Sequence, residues 1–294
     1  MLPFDQPVSA GIPKASLDTI VLIPANLDQA EMVLKQDQDI AAIMLEPSGA
    51  SWGTVPLSIE FNRNLRQLAT SYNVPLIYDE VISGFRYAPG GYQEFSGVTP
   101  DMSVLGKVVT GGMPGGALVG KSDIMSLFDF TGDAHHDRYE RVHHLGTFNA
   151  NPLAAAAGIA TLRQVATGEP QEHADRLAAR LRQGMDDILV DEGAAGYVYG
   201  DASTFHVYLE GFSGTHAETR EQMITDDAAK LKGIPGPVVR AFQKSLLTGG
   251  IDLLSYTGGV TSAAHTDGDI EKTLPVFRET IKKLLNDQVI ARLA

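Results

Sequence analysis

Two stretches decide the fold, Asn73-Val74-Pro75-Leu76-Ile77-Tyr78-Asp79-Glu80-Val81 and Met102-Ser103-Val104-Leu105-Gly106-Lys107. Each is a short apolar run bounded by turn residues, the mark of a buried strand, and each ends on a charged side chain. Asp79 and Lys107 are therefore expected at strand carboxyl ends, where open α/β sheets place their ligands. Upstream, Ile40 to Leu45 reads as another buried strand, stopped at Glu46-Pro47. Between these strands Phe61, Leu65, Leu68, Ala69 and Tyr72 recur at helical spacing. Thr54-Val55-Pro56 is expected to open that helix, with proline in its first turn. Strand, helix, strand is the unit of a parallel sheet.

Outward from this core, residues 1–25 read as irregular, and Asn26 with Gln29 predicts a capped helix to about Gln36. The loop from Gly84 to Tyr92, rich in glycine and aromatic residues, suits the lining of a ligand cleft. Thr110-Gly111-Gly112-Met113-Pro114-Gly115-Gly116 resists helix and sheet alike, and lets backbone approach a ligand or a neighbouring subunit closely. From Asp129 to His144 the chain reads as polar and irregular. Its His135, His136, His143 and His144 could belong to a metal site or to a solvated loop. The lack of an acidic or cysteine ligand pattern at zinc spacing favours the loop.

Asn151-Pro152 caps an alanine-rich helix to about Val165, and a charged helix follows from Pro170 to about Val190. After Gly193 the pattern mixes, with strands at 197–199 and 204–209 and helices near 236–247 and 267–285, the last capped by Thr266 and Asp269. The expected fold is α/β. A mostly parallel sheet forms a large domain over residues 1–185, and a smaller α+β domain covers residues 186–294.

With 294 residues and 44% hydrophobic content, the chain has enough apolar material for a substantial core. A net charge of −13 argues against nucleic-acid or anionic-membrane binding, which needs clustered Lys and Arg. No apolar run reaches the roughly 18 to 20 residues of a membrane span, and Met1 to Asp5 lacks a signal-peptide pattern, so a cytoplasmic location is expected. Cysteine is absent, which leaves Lys, Ser or Asp as nucleophile and removes thiolate zinc sites; no metal ligand set is assigned.

The chemistry of the pair narrows matters further. A buried carboxylate can hold a heteroaromatic nitrogen protonated, and a desolvated lysine can form a Schiff base. These are the contributions expected of a protein that binds pyridoxal 5'-phosphate.

Several motifs stand in one order: Asp79-Glu80-Val81-Ile82-Ser83-Gly84-Phe85-Arg86, Gly97-Val98-Thr99-Pro100-Asp101, Leu105-Gly106-Lys107, Gly111 to Ala117, Gly146-Thr147-Phe148 and Asn151-Pro152-Leu153-Ala154. In order and spacing the chain resembles the class III, fold type I aminotransferases, and Ser262-Ala263-Ala264-His265-Thr266 resembles the glutamate-1-semialdehyde 2,1-aminomutase branch. The resemblance implies that Lys107 holds pyridoxal phosphate as an imine and shuttles a proton between substrate and cofactor. It implies that Asp79 pairs with the pyridine nitrogen and that Val81 packs on the ring. Thr147 would contact the phosphate across a dimer interface, which makes a homodimer the implied assembly. Glu46 is either a supporting group beneath the cofactor or the polar end of a strand.

The resemblance covers nearly all of this chain but only the later two-thirds of the family. The Ser-Gly-x-Glu-Ala-like turn that cradles the phosphate, and the aromatic residue on the other ring face, have no counterpart here. The chain is thus expected to be a fragment, to pair with a separately encoded N-terminal half, or to stand alone with altered function, and by itself to bind the cofactor weakly. Tyr256-Thr257-Gly258-Gly259 stands where the aminomutase branch has a glutamate, and Ser51 where the family often has Asn or an acid. Both changes fall at the substrate end. The implied activity is therefore amino transfer between an amine or amino acid donor and a keto acid or aldehyde acceptor, with an aminomutase or a non-catalytic subunit as alternatives.

Overall fold

The computed structural model describes residues 9–214, 219–254 and 256–293; the first eight residues of the N-terminal stretch lie outside them. Four strands form the first sheet, β1 (Ile43–Leu45), β3 (Leu76–Glu80), β4 (Met102–Leu105) and β5 (Ala117–Gly120), in that order. β1 and β3 are parallel, as are β3 and β4, while β5 returns antiparallel on β4. The short β2 (Val55–Pro56) bridges back to Gly49 and Ala50 instead of joining the sheet.

That last observation corrects the expected helix start. Val55 and Pro56 are extended, and the helix Ile59–Ser71 begins beyond them, where the Ser58 hydroxyl accepts the Phe61 N–H at 3.0 Å. A serine cap satisfies an end donor that proline in the first turn cannot. Leu65 and Ala69 of this helix pack with Ala30 of the helix Leu27–Gln36 and with Leu76 and Tyr78 of β3. The cap at Asn26 is one-sided, its side chain accepting the Gln29 N–H at 2.9 Å.

β3 divides its side chains between two faces, as strand geometry requires. Leu76, Tyr78 and Glu80 are buried, while Ile77 and Asp79 are half-buried. Glu80, 1% exposed, accepts the Tyr92 N–H at 2.6 Å and so receives the start of the helix Gly91–Ser96. Adjacent acids therefore do different work. Burial raises the Glu80 carboxyl above its ordinary range, against the pull of the Tyr92 and Gln93 donors.

The helix Pro152–Val165 lies against the single turn Lys107–Thr110 that follows β4. A Cβ on Gly158 would fall 2.5 Å from the Val109 carbonyl, and one on Gly111, whose φ is +61°, would fall 2.6 Å from the Ala157 carbonyl. The first glycine of the 111–116 loop thus serves close packing inside the chain itself. The polar stretch after Asp129 also holds more order than expected. Asp133 caps a short helix, Ala134–Tyr139, by accepting the His135 and His136 N–H groups.

The second sheet is antiparallel, β6 (Gly196–Tyr199), β7 (Thr204–Leu209) and β8 (Gly258–Val260), with β7 in the middle. Helices Glu169–Asp191, Gly236–Thr248 and Asp267–Asn286 cover it. Leu177, Met185, Val207, Leu209, Phe242, Leu246, Phe277 and Ile281 fill the core between them. All six residues of β7 are buried, which explains its unbroken reading as a strand. The last helix carries the expected reciprocal cap between Thr266 and Asp269. The chain is α/β with a mostly parallel sheet, joined to a smaller α+β part.

Candidate active site

β3 and β4 run side by side, with Asp79 opposite Val104 and Glu80 opposite Leu105. Parallel alignment brings the carboxyl ends of both strands to one edge, so Asp79 and Lys107 open into the same cleft. It has a volume of about 520 Å³, and Glu46, Ser51, Trp52, Thr54, Val81, Ile82, Lys232 and Tyr256 complete its lining.

Asp79 is held locally, its Oδ1 accepting the Val81 N–H at 3.1 Å. Gly106 lets the chain pass Val81, since a Cβ there would lie 3.1 Å from a Val81 methyl. Lys107 follows with a left-handed φ of +50°. That conformation is uncommon for a side-chain-bearing residue and typical of functional sites. The lysine is exposed, in contrast to the desolvated group expected, because on its side the described residues leave the cleft open.

Glu46 and Ser51 are joined directly. The Glu46 carboxylate accepts the Ser51 N–H at 2.8 Å and the Trp52 N–H at 2.6 Å. Both donors sit in left-handed backbone, at φ of +54° and +51°, so a single carboxylate fixes a turn that the sequence does not advertise. Trp52 is pinned from the other side by β7. The rings of Trp52 and His206 lie 4.4 Å apart, and His206 Nε2 is 3.3 Å from the Trp52 carbonyl. Burial lowers His206 to about 4, so it is neutral at ordinary pH. The Tyr199 hydroxyl donates to the Thr54 carbonyl at 2.8 Å, and Val55 packs into the core around the second sheet.

Thr147 is the expected site residue that the structure keeps apart. It lies on the exposed loop before the helix Pro152–Val165 and does not line this cleft. Trp52, Thr54, Ile82 and Lys232 line it without having been singled out as site residues, and Tyr256, noted in the sequence at the substrate end, lines it too. Arg86, at the end of the glycine-bearing motif, has a role the sequence hides as well. Its guanidinium donates to Ser203 Oγ at 2.9 Å and to the Thr261 carbonyl at 3.3 Å, tying the site loop to the α+β part. Among the described residues no group of three or more His, Cys, Asp or Glu is arranged to hold a metal, and His135 and His136 both contact Glu140.

An open α/β sheet with a lysine and an aspartate at neighbouring strand ends defines a class of cofactor-binding fold. The family model for aminotransferase class III matches residues 7–200, and the chain belongs to that family. It is similar to a glutamate-1-semialdehyde 2,1-aminomutase of Akkermansia muciniphila, 32% identical over 289 residues, covering 96% of this chain and 63% of that protein. Among solved structures it is similar to an omega-transaminase from Sphaerobacter thermophilus, at 31% identity and a TM-score of 0.78, covering 94% of this chain and 60% of the other. A second neighbour is a transaminase with PLP bound, at 27% identity and a TM-score of 0.78, covering 95% and 61%. The chain thus spans about three-fifths of the length of the proteins it matches.

Proposed function

We propose that this chain carries the lysine-bearing part of a pyridoxal phosphate-dependent aminotransferase, which moves an amino group from an amine or amino acid to a keto acid or aldehyde. One observation carries this reading: Asp79 and Lys107 line one cleft at the ends of adjacent parallel strands. When bound, pyridoxal phosphate supplies an electron sink for the carbanion and a carrier for the amino group. The residues present fit it. Asp79 would hold the proton on the pyridine nitrogen, Val81 would pack against the ring, and Lys107 would anchor the cofactor through its amine. The Lys107 amine would also accept and return the proton at the substrate carbon.

The rest of the site comes from elsewhere in this reading. Thr147, which does not line this cleft, serves the phosphate of a partner protomer, which makes a homodimer the assembly. An N-terminal region, in the same polypeptide or a separate one, completes the phosphate cradle. Residues 1–185 and 186–294 act as large and small domains. The helix Glu169–Asp191 joins them, and its Leu177 to Leu189 contribute to the core of the latter.

The test is made on the chain assembled with its N-terminal region. Borohydride reduction should leave a cofactor-derived mass on Lys107, and Lys107→Ala should abolish amino transfer. Undiminished transfer by that variant would falsify the reading. A second reading, an aminomutase that returns nitrogen to the same carbon skeleton, is supported by the aminomutase relative and by Ser262 to Thr266. Release of a keto product separates the two.

A further inference from the structure

Val81 and Ile82 line the cleft from a loop whose far end is gripped by the α+β part. The loop is a run of tight turns, in which the Gly84 N–H donates to the Glu80 carbonyl at 2.9 Å and the Arg86 N–H to the Ser83 carbonyl at 3.1 Å. Phe85 sits at a left-handed φ of +64°, and its carbonyl accepts Gln171 Nε2 at 3.0 Å. The Arg86 guanidinium holds Ser203 and Thr261. A shift of Arg86 is thus passed through the turns to Val81 and Ile82.

The helix that supplies Gln171 also carries a carboxylate that the proposed chemistry does not use. Gln171, Asp175 and Arg182 recur at helical spacing along Glu169–Asp191. Arg182 is occupied, donating to the Ala202 and Thr204 carbonyls at 2.8 and 2.6 Å. Asp175 is not: its Oδ1 is buried without a hydrogen-bond partner, and so is Arg86 Nε. An unmade buried acceptor and an unmade buried donor are both costly, and these two carry opposite charge.

Arg182 from its own helix and Arg86 from the loop are the cations that draw on Asp175, yet burial outweighs both and raises the carboxyl to about 6. Asp201 and Tyr87 face Arg182, and Tyr87 also faces Arg86. Arg176 and Arg180, on the exposed side of the helix, are taken up by Asp267 and Glu271. We propose that Asp175 is a positioning residue: when the cofactor occupies the cleft, its carboxylate pairs with Arg86 and fixes the Val81–Ile82 turn against the ring. This inference rests on the function proposed above.

The experiment measures the affinity of the complete enzyme for pyridoxal phosphate by equilibrium dialysis across a range of pH. Loading is verified first by the absorbance of lysine-bound cofactor; its absence in the wild type would count against the proposed function, ahead of any test of Asp175. Asp175→Asn reproduces the protonated carboxyl and so keeps the fold, which circular dichroism checks. It should weaken binding about tenfold at about pH 8, as expected for loss of a charged hydrogen bond, and the gap to the wild type should close toward about pH 5, where the wild-type carboxyl is itself protonated. Arg86→Gln should match Asp175→Asn, and the double variant should bind no worse than either. Arg86→Lys, which keeps the charge, should retain most of the affinity together with the wild-type pH dependence. A loss that stays constant with pH, losses that add in the double variant, or an Asp175→Asn enzyme that binds as the wild type does at every pH overturns the assignment.

Discussion

His206 of the central antiparallel strand and Trp52 of the cleft wall form one unit, with ring centroids 4.4 Å apart and the imidazole Nε2 3.3 Å from the Trp52 carbonyl. A buried histidine thus underlies the wall of the cleft, and its protonation state bears on the shape of the site. Burial lowers its pKa from 6.5 to about 4, with the Trp52 carbonyl acting in the other direction. The unfolded chain takes up this proton first as pH falls. The stabilising preference for neutral His206 is complete above 6.5, declines below it, and is gone near 4. The loss amounts to about 3 kcal/mol over that window. Urea unfolding between pH 7 and 4 should show this slope, and His206→Asn should flatten it.

Asp101 acts in a lower pH window. It accepts from the Leu76 N–H at 2.7 Å and pairs with Arg66 and Lys121. Burial opposes its ionisation, but Lys121, Arg66 and the Leu76 N–H outweigh it and lower the carboxyl from 3.8 to about 2. Its contribution is fully present above 3.8 and disappears as pH falls to about 2. Asp101→Asn should cost about 2 kcal/mol near neutrality, measured by chemical denaturation, and should remove the steepest part of acid unfolding below pH 4.

The Glu46 carboxylate holds two consecutive amides in left-handed backbone. Glu46→Ala leaves both N–H groups without their acceptor and should destabilise the wall by about 1 to 3 kcal/mol. The chain has one tryptophan, Trp52, so its fluorescence reports this wall alone. A red shift in Glu46→Ala before global unfolding is expected. An unchanged emission maximum together with an unchanged melting curve would show that the turn stands without the carboxylate.

Asp79→Asn tests the ring-nitrogen role without dismantling the strand, because an asparagine oxygen can still accept the Val81 N–H that Asp79 accepts at 3.1 Å. Thermal stability should change little. Affinity of the assembled enzyme for pyridoxal phosphate should fall about tenfold or more, followed by equilibrium dialysis.

Much of this molecule is set by local pattern. Apolar runs placed β3 and β4, helical spacing placed the body of Ile59–Ser71, and Thr266 with Asp269 marked the start of the last helix, since each signal depends on neighbours in the chain. Asp79 and Lys107 were legible as a pair for the same reason, lying where two buried strands stop, whereas Val81 was named only through the family resemblance. Tertiary structure alone decided what encloses them. The Val55-Pro56 pair became a strand because it bridges to Ala50 and Gly49 while Val55 packs into a core built almost entirely from residues beyond 170. Trp52 entered the cleft because Glu46 holds its backbone and His206 its ring, and Lys232 because a short helix anchored by Leu231 delivers it there. Arg86 became a tether through partners distant in sequence. Such contacts carry no local periodicity: they arise from packing between segments far apart in the chain, and only the folded molecule brings them together.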